Sequence, residues 1–444
     1  MRSLLLLLTA GCGDVSINVG AEKGDANTVP DSGDTAGADT SSPIDTADSG
    51  NGLDVWEGGG AWSADAPVTV YTEGADSAIE ALWIRDVTGD DNEDIVVVSF
   101  GYTGATYLRT VVTYPGDGRG GFGAPLTTVG TVATSGSQAI ALTDLDTDGQ
   151  PDVLAPSERG LQVFFGNGSG FAADVEFDRG YYHGANVGAV DLDGDDADEL
   201  IVWSTDSSGH QYTEMLRWDG RGLAAITPLI SWDPYLSTYG TLFPGETVGY
   251  DADGDGRQEG LLSGIGYSLP QDMIVTGTGA GAGLTVSTSY LQTRYSADGA
   301  TYADAADLDG DGEDELVTGG NDGLQLYDPS NGLQALIYRQ DTTYTFGTFL
   351  VAGNLNGDEH PDVVEMLGAF SEDGGAVPSA VVSSHLGNGT DLDAPTQLSF
   401  PFSAVQNVMR GVALGSLSED NCGDVAFIAG YPQAAYVMLG RCGG

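Results

Sequence analysis

Residues 139–156 read AIALTDLDTDGQPDVLAP: an apolar run, a nonapeptide from Asp144 to Asp152 with acids at alternate places, and a second apolar run. Short runs rich in Val, Ile and Leu between Gly/Asp turns read as strands. A hard cation such as Ca²⁺ takes roughly six to eight oxygens, which a tight loop supplies when alternate residues point inward. Positions one, three, five and nine are Asp144, Asp146, Asp148 and Asp152, position seven offers the Gln150 carbonyl, and Gly149 permits the turn.

The pattern recurs along the chain. It stands at 81–98 (ALWIRDVTGDDNEDIVVV), 188–203 (GAVDLDGDDADELIVW), 248–263 (VGYDADGDGRQEGLLS), 303–319 (ADAADLDGDGEDELVTG) and 350–366 (LVAGNLNGDEHPDVVEM), and in worn form at 412–429 (VALGSLSEDNCGDVAFIA). Self-similarity at a fixed period marks a repeat architecture. The mean spacing of about 55 residues suits a four-stranded blade with its loops, so seven units predict an all-β, seven-bladed β-propeller.

Read in the same register, the first loop offers Asp86, Thr88, Asp90, Asn92 and Asp94, and the third Asp191, Asp193, Asp195, Ala197 and Glu199. The fourth offers Asp251, Asp253, Asp255, Arg257 and Glu259, and the fifth Asp307, Asp309, Asp311, Glu313 and Glu315. The sixth, with Asn354, Asn356, Asp358, His360 and Asp362, carries less charge and should bind more weakly. In the seventh, Ser416 and Ser418 precede Asp420 and Asp424, and no metal is expected at ordinary calcium levels. The count is thus about six calcium sites and a degenerate seventh. An EF-hand would need Glu at position twelve and flanking helices. That position is Glu only at Glu365, and the flanks are strand-like.

Later in the repeats come Gly-rich turns: YPGDGRGGFGAP at 114–125, FFGNGSGF at 164–171, RWDGRG at 217–222 and LGNGTDLDAP at 386–395. With the acidic loops, these make the chain resemble the FG-GAP or VCBS repeat family, whose blades pair an Asp-rich calcium loop with a Gly-Asn/Asp-Gly turn followed by Phe-Gly. The resemblance covers nearly everything after residue 60. It implies a calcium-binding propeller of the kind found in integrin α heads, adhesins and surface lipoproteins, and says little about activity. The segment Ala61–Pro67, with VTVY after it, matches the stretches that come after the Gly-rich turn in other repeats. The chain should therefore begin on an outer strand and close the ring with the run AAYVMLG at 434–440.

Sixty-six acidic residues against fourteen basic ones give a formal charge of −52, which repels nucleic acid and anionic lipid and favours multivalent cations. Arg2, the apolar Leu4–Leu8 and Thr9-Ala10-Gly11-Cys12 form an export signal, too short to span a bilayer. The segment resembles a bacterial lipoprotein signal, implying lipidation at Cys12, although Thr9 stands where that pattern has Leu, Val or Ile; ordinary cleavage and secretion is the alternative. The expected divisions are a signal at 1–12, a disordered Asp/Ser/Thr/Gly-rich linker at 13–60, and the propeller at 61–444. The membrane is then touched only through the lipid, at the outer membrane or cell surface. Cys422 and Cys442 are expected to pair in this exported chain, the alternative being two buried thiols.

The sequence has no Gly-x-Ser-x-Gly elbow and no HExxH, and its histidines are scattered, so no enzyme is expected. A binding face is more plausible among the blade-to-blade connections opposite the calcium loops, which are rich in aromatics: Tyr181, Tyr182, His183, Tyr239, Phe243, Tyr302, Tyr344 and Phe346. Exposed aromatics suit glycans or protein hot spots, though they also cap blade cores. The functional readings are a surface binding or adhesion module with an unknown protein or glycan partner, a structural part of an envelope assembly, and a carbohydrate-active enzyme.

Overall fold

The computed structural model of the chain describes residues 68–440 except 73–76, 105, 132–138, 158, 181–182, 196, 206–210, 227–229, 232–242, 266–271, 281–283, 292–301, 321–322, 329–331, 339–343, 359, 371–375, 390–391, 394–395, 402–410, 419–421 and 430–432. Cys12, the 13–60 segment and Cys442 lie outside the described residues. Every regular element among those described is a β-strand, and the strands form seven antiparallel sheets.

The first blade sets the plan. Ser77–Arg85, Asp94–Tyr102, Tyr107–Tyr114 and Leu126–Val129 pair in chain order. The first strand of each sheet lines a central cavity of about 390 Å³, reached by Trp83, Leu142, Ala189, Val248, Ala303, Leu350 and Ala413 in turn. The third blade adds a short strand, Ile230–Ser231, beside Gln211–Trp218.

Second strands are buried on both faces because a blade packs against a neighbour on each side. In Asp94–Tyr102, Ile95 and Val97 join the core shared with the seventh blade, whereas Val96 and Val98 join the core shared with the second. Two buried faces require an apolar run in place of alternation. Seven apolar clusters fill the seven interfaces between consecutive blades, including the one between the last blade and the first. A buried polar tie reinforces the first and second blades: Arg109, fully buried, donates to Glu80 Oε2 at 2.7 Å, Gln162 Oε1 at 2.8 Å and the Pro156 carbonyl at 2.9 Å.

The ring closes as expected. Val68–Thr72 is the outer strand of the seventh blade and pairs antiparallel with Ala434–Met438, inside which lie Asp424–Ala429 and then Val412–Gly415. The first and last described strands thus complete one sheet, and among the described residues every blade packs against two neighbours.

Candidate metal centres

Each acidic nonapeptide joins the innermost strand of a blade to the second, so the loops gather at one end of the ring. Their backbone is folded by their own side chains. The N–H at position seven donates to the position-five side chain in six loops, Asn92 to Asp90, Gln150 to Asp148, Ala197 to Asp195, Arg257 to Asp255, Glu313 to Asp311 and His360 to Asp358, at 2.8–3.1 Å. These are Asx turns, which short acids form readily. The position-one acid organises the rest: Asp144 accepts from Asp148 and Gly149, Asp251 from Asp255 and Gly256, and Asp307 from Gly310, Asp311 and Gly312.

Position two carries no signal as a ligand in the sequence, yet it anchors the loop. Val87, Leu145, Leu192, Leu308, Leu355 and Leu417 are all buried in cores between blades. The position-two N–H donates to the position-nine acid in all seven loops, at 2.6–3.0 Å. Where that acid is Asp, its other oxygen accepts the first Gly N–H of the later turn: Gly116 to Asp94, Gly166 to Asp152, Gly387 to Asp362 and Gly440 to Asp424. A Cβ on any of these glycines would lie 2.1–2.4 Å from the carbonyl oxygen of position eight. This close approach is why the acidic loop and the Gly-rich turn travel together in the repeat. The ninth acid is therefore a structural clasp as well as a possible ligand.

Four groups of carboxylates stand close enough to share one ion, with oxygens within 4.8 Å of one another: Asp144, Asp146 and Asp152; Asp191, Asp193 and Glu199; Asp251, Asp253 and Asp255; and Asp307, Asp309 and Asp311. They belong to the second to fifth loops. Among the described residues the first, sixth and seventh loops form no such group. The donor set fits a hard cation, being all oxygen. One observation tests the fit independently: Asp146 Oδ1 is buried and has no hydrogen-bond donor, which would be costly unless a cation faces it.

Electrostatics point the same way. Burial pushes Asp152 up to about 7, with Asp146 and Asp144 adding like charge while the Gly166 and Leu145 N–H groups pull it down. Burial raises Glu199 to about 8 and Glu315 to about 7, again with neighbouring loop acids contributing. Asp146, Asp195 and Glu259 are raised for the same reasons. A bound divalent cation would supply the missing countercharge and let all of them ionise together.

The aromatic residues expected on a binding face are described only in part. Tyr181, Tyr182 and Tyr239 lie outside the described residues. His183, Phe243, Tyr302 and Tyr344 open the innermost strands, and Phe346 lies within one, so these residues are not in the connections. Tyr302 is half-buried with its ring 3.9 Å from that of Phe349 across the fifth and sixth blades, a packing contact rather than a free ring. A different cluster, which its sequence did not mark, stands at the same end. Tyr102 and Tyr107, 48% and 40% exposed, flank the hairpin between the second and third strands of the first blade, and Phe100 stacks on Tyr107 at 4.8 Å.

Residues 144–202 match the family model of the FG-GAP-like repeat. No curated protein matches the chain by sequence. Among solved structures, BBS1N in complex with ARL6DN is 12% identical, with a TM-score of 0.50 over 86% of this chain and 98% of that one. A lectin from Agrocybe aegerita that recognises non-reducing terminal N-acetylglucosamine is 16% identical, with a TM-score of 0.46 over 73% and 80%. AofleA from Arthrobotrys oligospora is 13% identical, with a TM-score of 0.40 over 88% and 93%. At such identities the likeness concerns the fold alone. The chain is a seven-bladed β-propeller with an FG-GAP-like repeat at 144–202.

Proposed function

We propose that this protein is an exported, lipid-anchored propeller that binds calcium at one end of its ring and serves at the cell surface as a binding or adhesion module, not an enzyme. The observation that carries the calcium reading is the set of four acid groups, one of which holds the buried, donorless Asp146 Oδ1. Calcium is structural in this reading: it holds loops whose acids repel one another. The N-terminal Cys12 anchors the chain, and Cys422, 1% exposed, pairs with Cys442 to staple the closing blade. By chain-entropy arithmetic such a bond contributes about 3 kcal/mol.

Calorimetry in calcium and in chelator tests the metal role. A melting temperature raised by calcium supports it, and identical melting in both overturns it. Membrane fractionation of the wild type and Cys12→Ala tests the anchor, and wild type found only in the soluble fraction would refute it. For the binding surface, the exposed pair Tyr102 and Tyr107 is the better guide, since such rings stack on sugars and apolar side chains. A glycan array with the purified chain and with Tyr102→Ala and Tyr107→Ala should show a signal weakened in the variants.

A further inference from the structure

Adjacent acidic loops are joined by one residue, the eighth, which directly precedes the ninth-position acid. In the fourth loop Gln258 donates its N–H to the Asp191 carbonyl at 2.8 Å and accepts the Asp191 N–H on Oε1 at 3.2 Å. The fifth loop repeats this: Asp314 donates to the Asp251 carbonyl at 2.8 Å, and its Oδ2 accepts the Asp251 N–H at 2.9 Å. In the third, Asp198 Oδ2 accepts from the hydroxyl of Thr143, the residue before Asp144. The loops also touch directly. A Cβ on Gly194 would lie 3.2 Å from the Gly256 carbonyl, and one on Gly254 would lie 3.0 Å from the Gly312 carbonyl. The residue gripped each time is, or directly precedes, the position-one acid of the preceding loop.

At two places this joint is chemically impossible. Position eight is Pro151 in the second loop and Pro361 in the sixth, and proline has neither an N–H nor a polar side chain. The second blade reaches the first loop instead from its Gly-rich turn, through the Gly170 N–H to the Val87 carbonyl at 3.4 Å. Beyond the breaks the joint returns: Gly423 donates to the Leu355 carbonyl at 3.0 Å, and the Glu93 carboxylate accepts the Ser416 N–H across the ring closure. The two prolines thus divide the ring into an arc of loops two to five and an arc of loops six, seven and one. All four carboxylate groups fall in the first arc.

We infer that the second to fifth loops bind calcium as one cooperative block, with Asp198, Gln258 and Asp314 as positioning residues that carry occupancy from loop to loop. The inference rests on the calcium reading above. In the third loop the ninth acid, Glu199, belongs to the acid group, so an ion fixes Asp198 beside it; in the fourth and fifth an ion orders the nonapeptide that carries Gln258 or Asp314. Gln258 and Asp314 hold the backbone of the first ligand next door, and Asp198 holds the hydroxyl of the residue just before it. The second ion then binds a loop already partly ordered, which is positive coupling without a change of fold. Coupling of this kind is ordinarily about five-fold or more in affinity per neighbour.

Native mass spectrometry of the full chain, titrated with calcium from chelator to saturation, reads the distribution directly. At half-saturation, chains with no ions or four should exceed the binomial share, and those with one to three should fall below it. Gln258→Pro copies the break already present at 151 and 361, and Gln258→Ala removes only the side-chain acceptor. Both should fill in the two-ion species while leaving the saturated count unchanged. Glu93→Ala, in the other arc, should leave the pattern as in the wild type. Several ions bound in binomial proportions would overturn the coupling and leave the calcium reading standing, whereas no ions bound would overturn both. An unaltered distribution in both Gln258 variants would refute the joint as the conduit.

Discussion

The Gly166 N–H donates to Asp152 Oδ1 at 2.7 Å, joining the Gly-rich turn of the second blade to the last acid of its acidic loop. The other oxygen, Oδ2, accepts the Leu145 N–H at 3.0 Å, so one carboxylate holds a loop residue on one side and a turn on the other. A Cβ on Gly166 would sit 2.4 Å from the Pro151 carbonyl oxygen, and that atom is backbone. Gly166→Ala should therefore destabilise the chain by about 2–3 kcal/mol, read as a lowered denaturation midpoint with an unchanged slope.

Asp424 makes the same two bonds, from Leu417 and Gly440, in the loop where serines replace the first two acids. Its removal separates the clasp from the metal. Asp424→Ala should cost about 2–4 kcal/mol through two buried N–H groups left without acceptors. Equal loss in calcium and in chelator is the expected result of paired thermal melts.

Asp146 has the opposite balance. Burial and the charges of Asp148 and Asp144 raise its pKa, and Oδ1 has no hydrogen-bond donor to lose. Asp146→Asn should leave the chelated protein as stable as the wild type or more so, while lowering melting in calcium and removing one ion from the count by native mass spectrometry.

The loop acids set a pH dependence of known sign. Asp152, Glu199 and Glu315, pushed up to about 7, 8 and 7 by burial and like charge, hold protons more tightly folded than unfolded. Without metal, that stabilisation is fully present below their unfolded values near about 4 and is lost as pH rises to about 8. Melting in chelator should fall over that window. Calcium needs the ionised acids, so the rise in melting temperature that it produces should grow over the same window.

Thr147 has φ 59°, in the left-handed region, where a β-branched residue is strained. The same loop position is glycine at Gly89, Gly194, Gly254 and Gly310, all with positive φ. Thr147→Gly should stabilise the protein by about 1 kcal/mol, measured by denaturant unfolding.

Much of this molecule was legible in the chain. Acids at alternate places between two apolar runs, repeated seven times, predicted the blades, and the apolar runs themselves predicted strands. The run AAYVMLG predicted closure, because only a partner strand at the other end of the chain completes that sheet. The loops with acids at positions one, three and five are the ones whose carboxylates converge. These features are local, since nine consecutive residues fold about their own side chains.

The rest is decided by which loop the ring sets beside which. Nothing in EDELVTG shows that Asp314 grips Asp251, 63 residues earlier, or that Glu93 grips Ser416 from 323 residues away. The prolines at 151 and 361 look like ordinary turn residues until their neighbours are known. His183, Phe243 and Tyr344, expected in connections, open innermost strands instead, because strand boundaries at that end are set by pairing between strands rather than by composition. Composition and period determined the number of blades and the donors each loop carries. Tertiary structure decided which donors meet, because hydrogen bonds between blades join residues that only the closed ring makes adjacent.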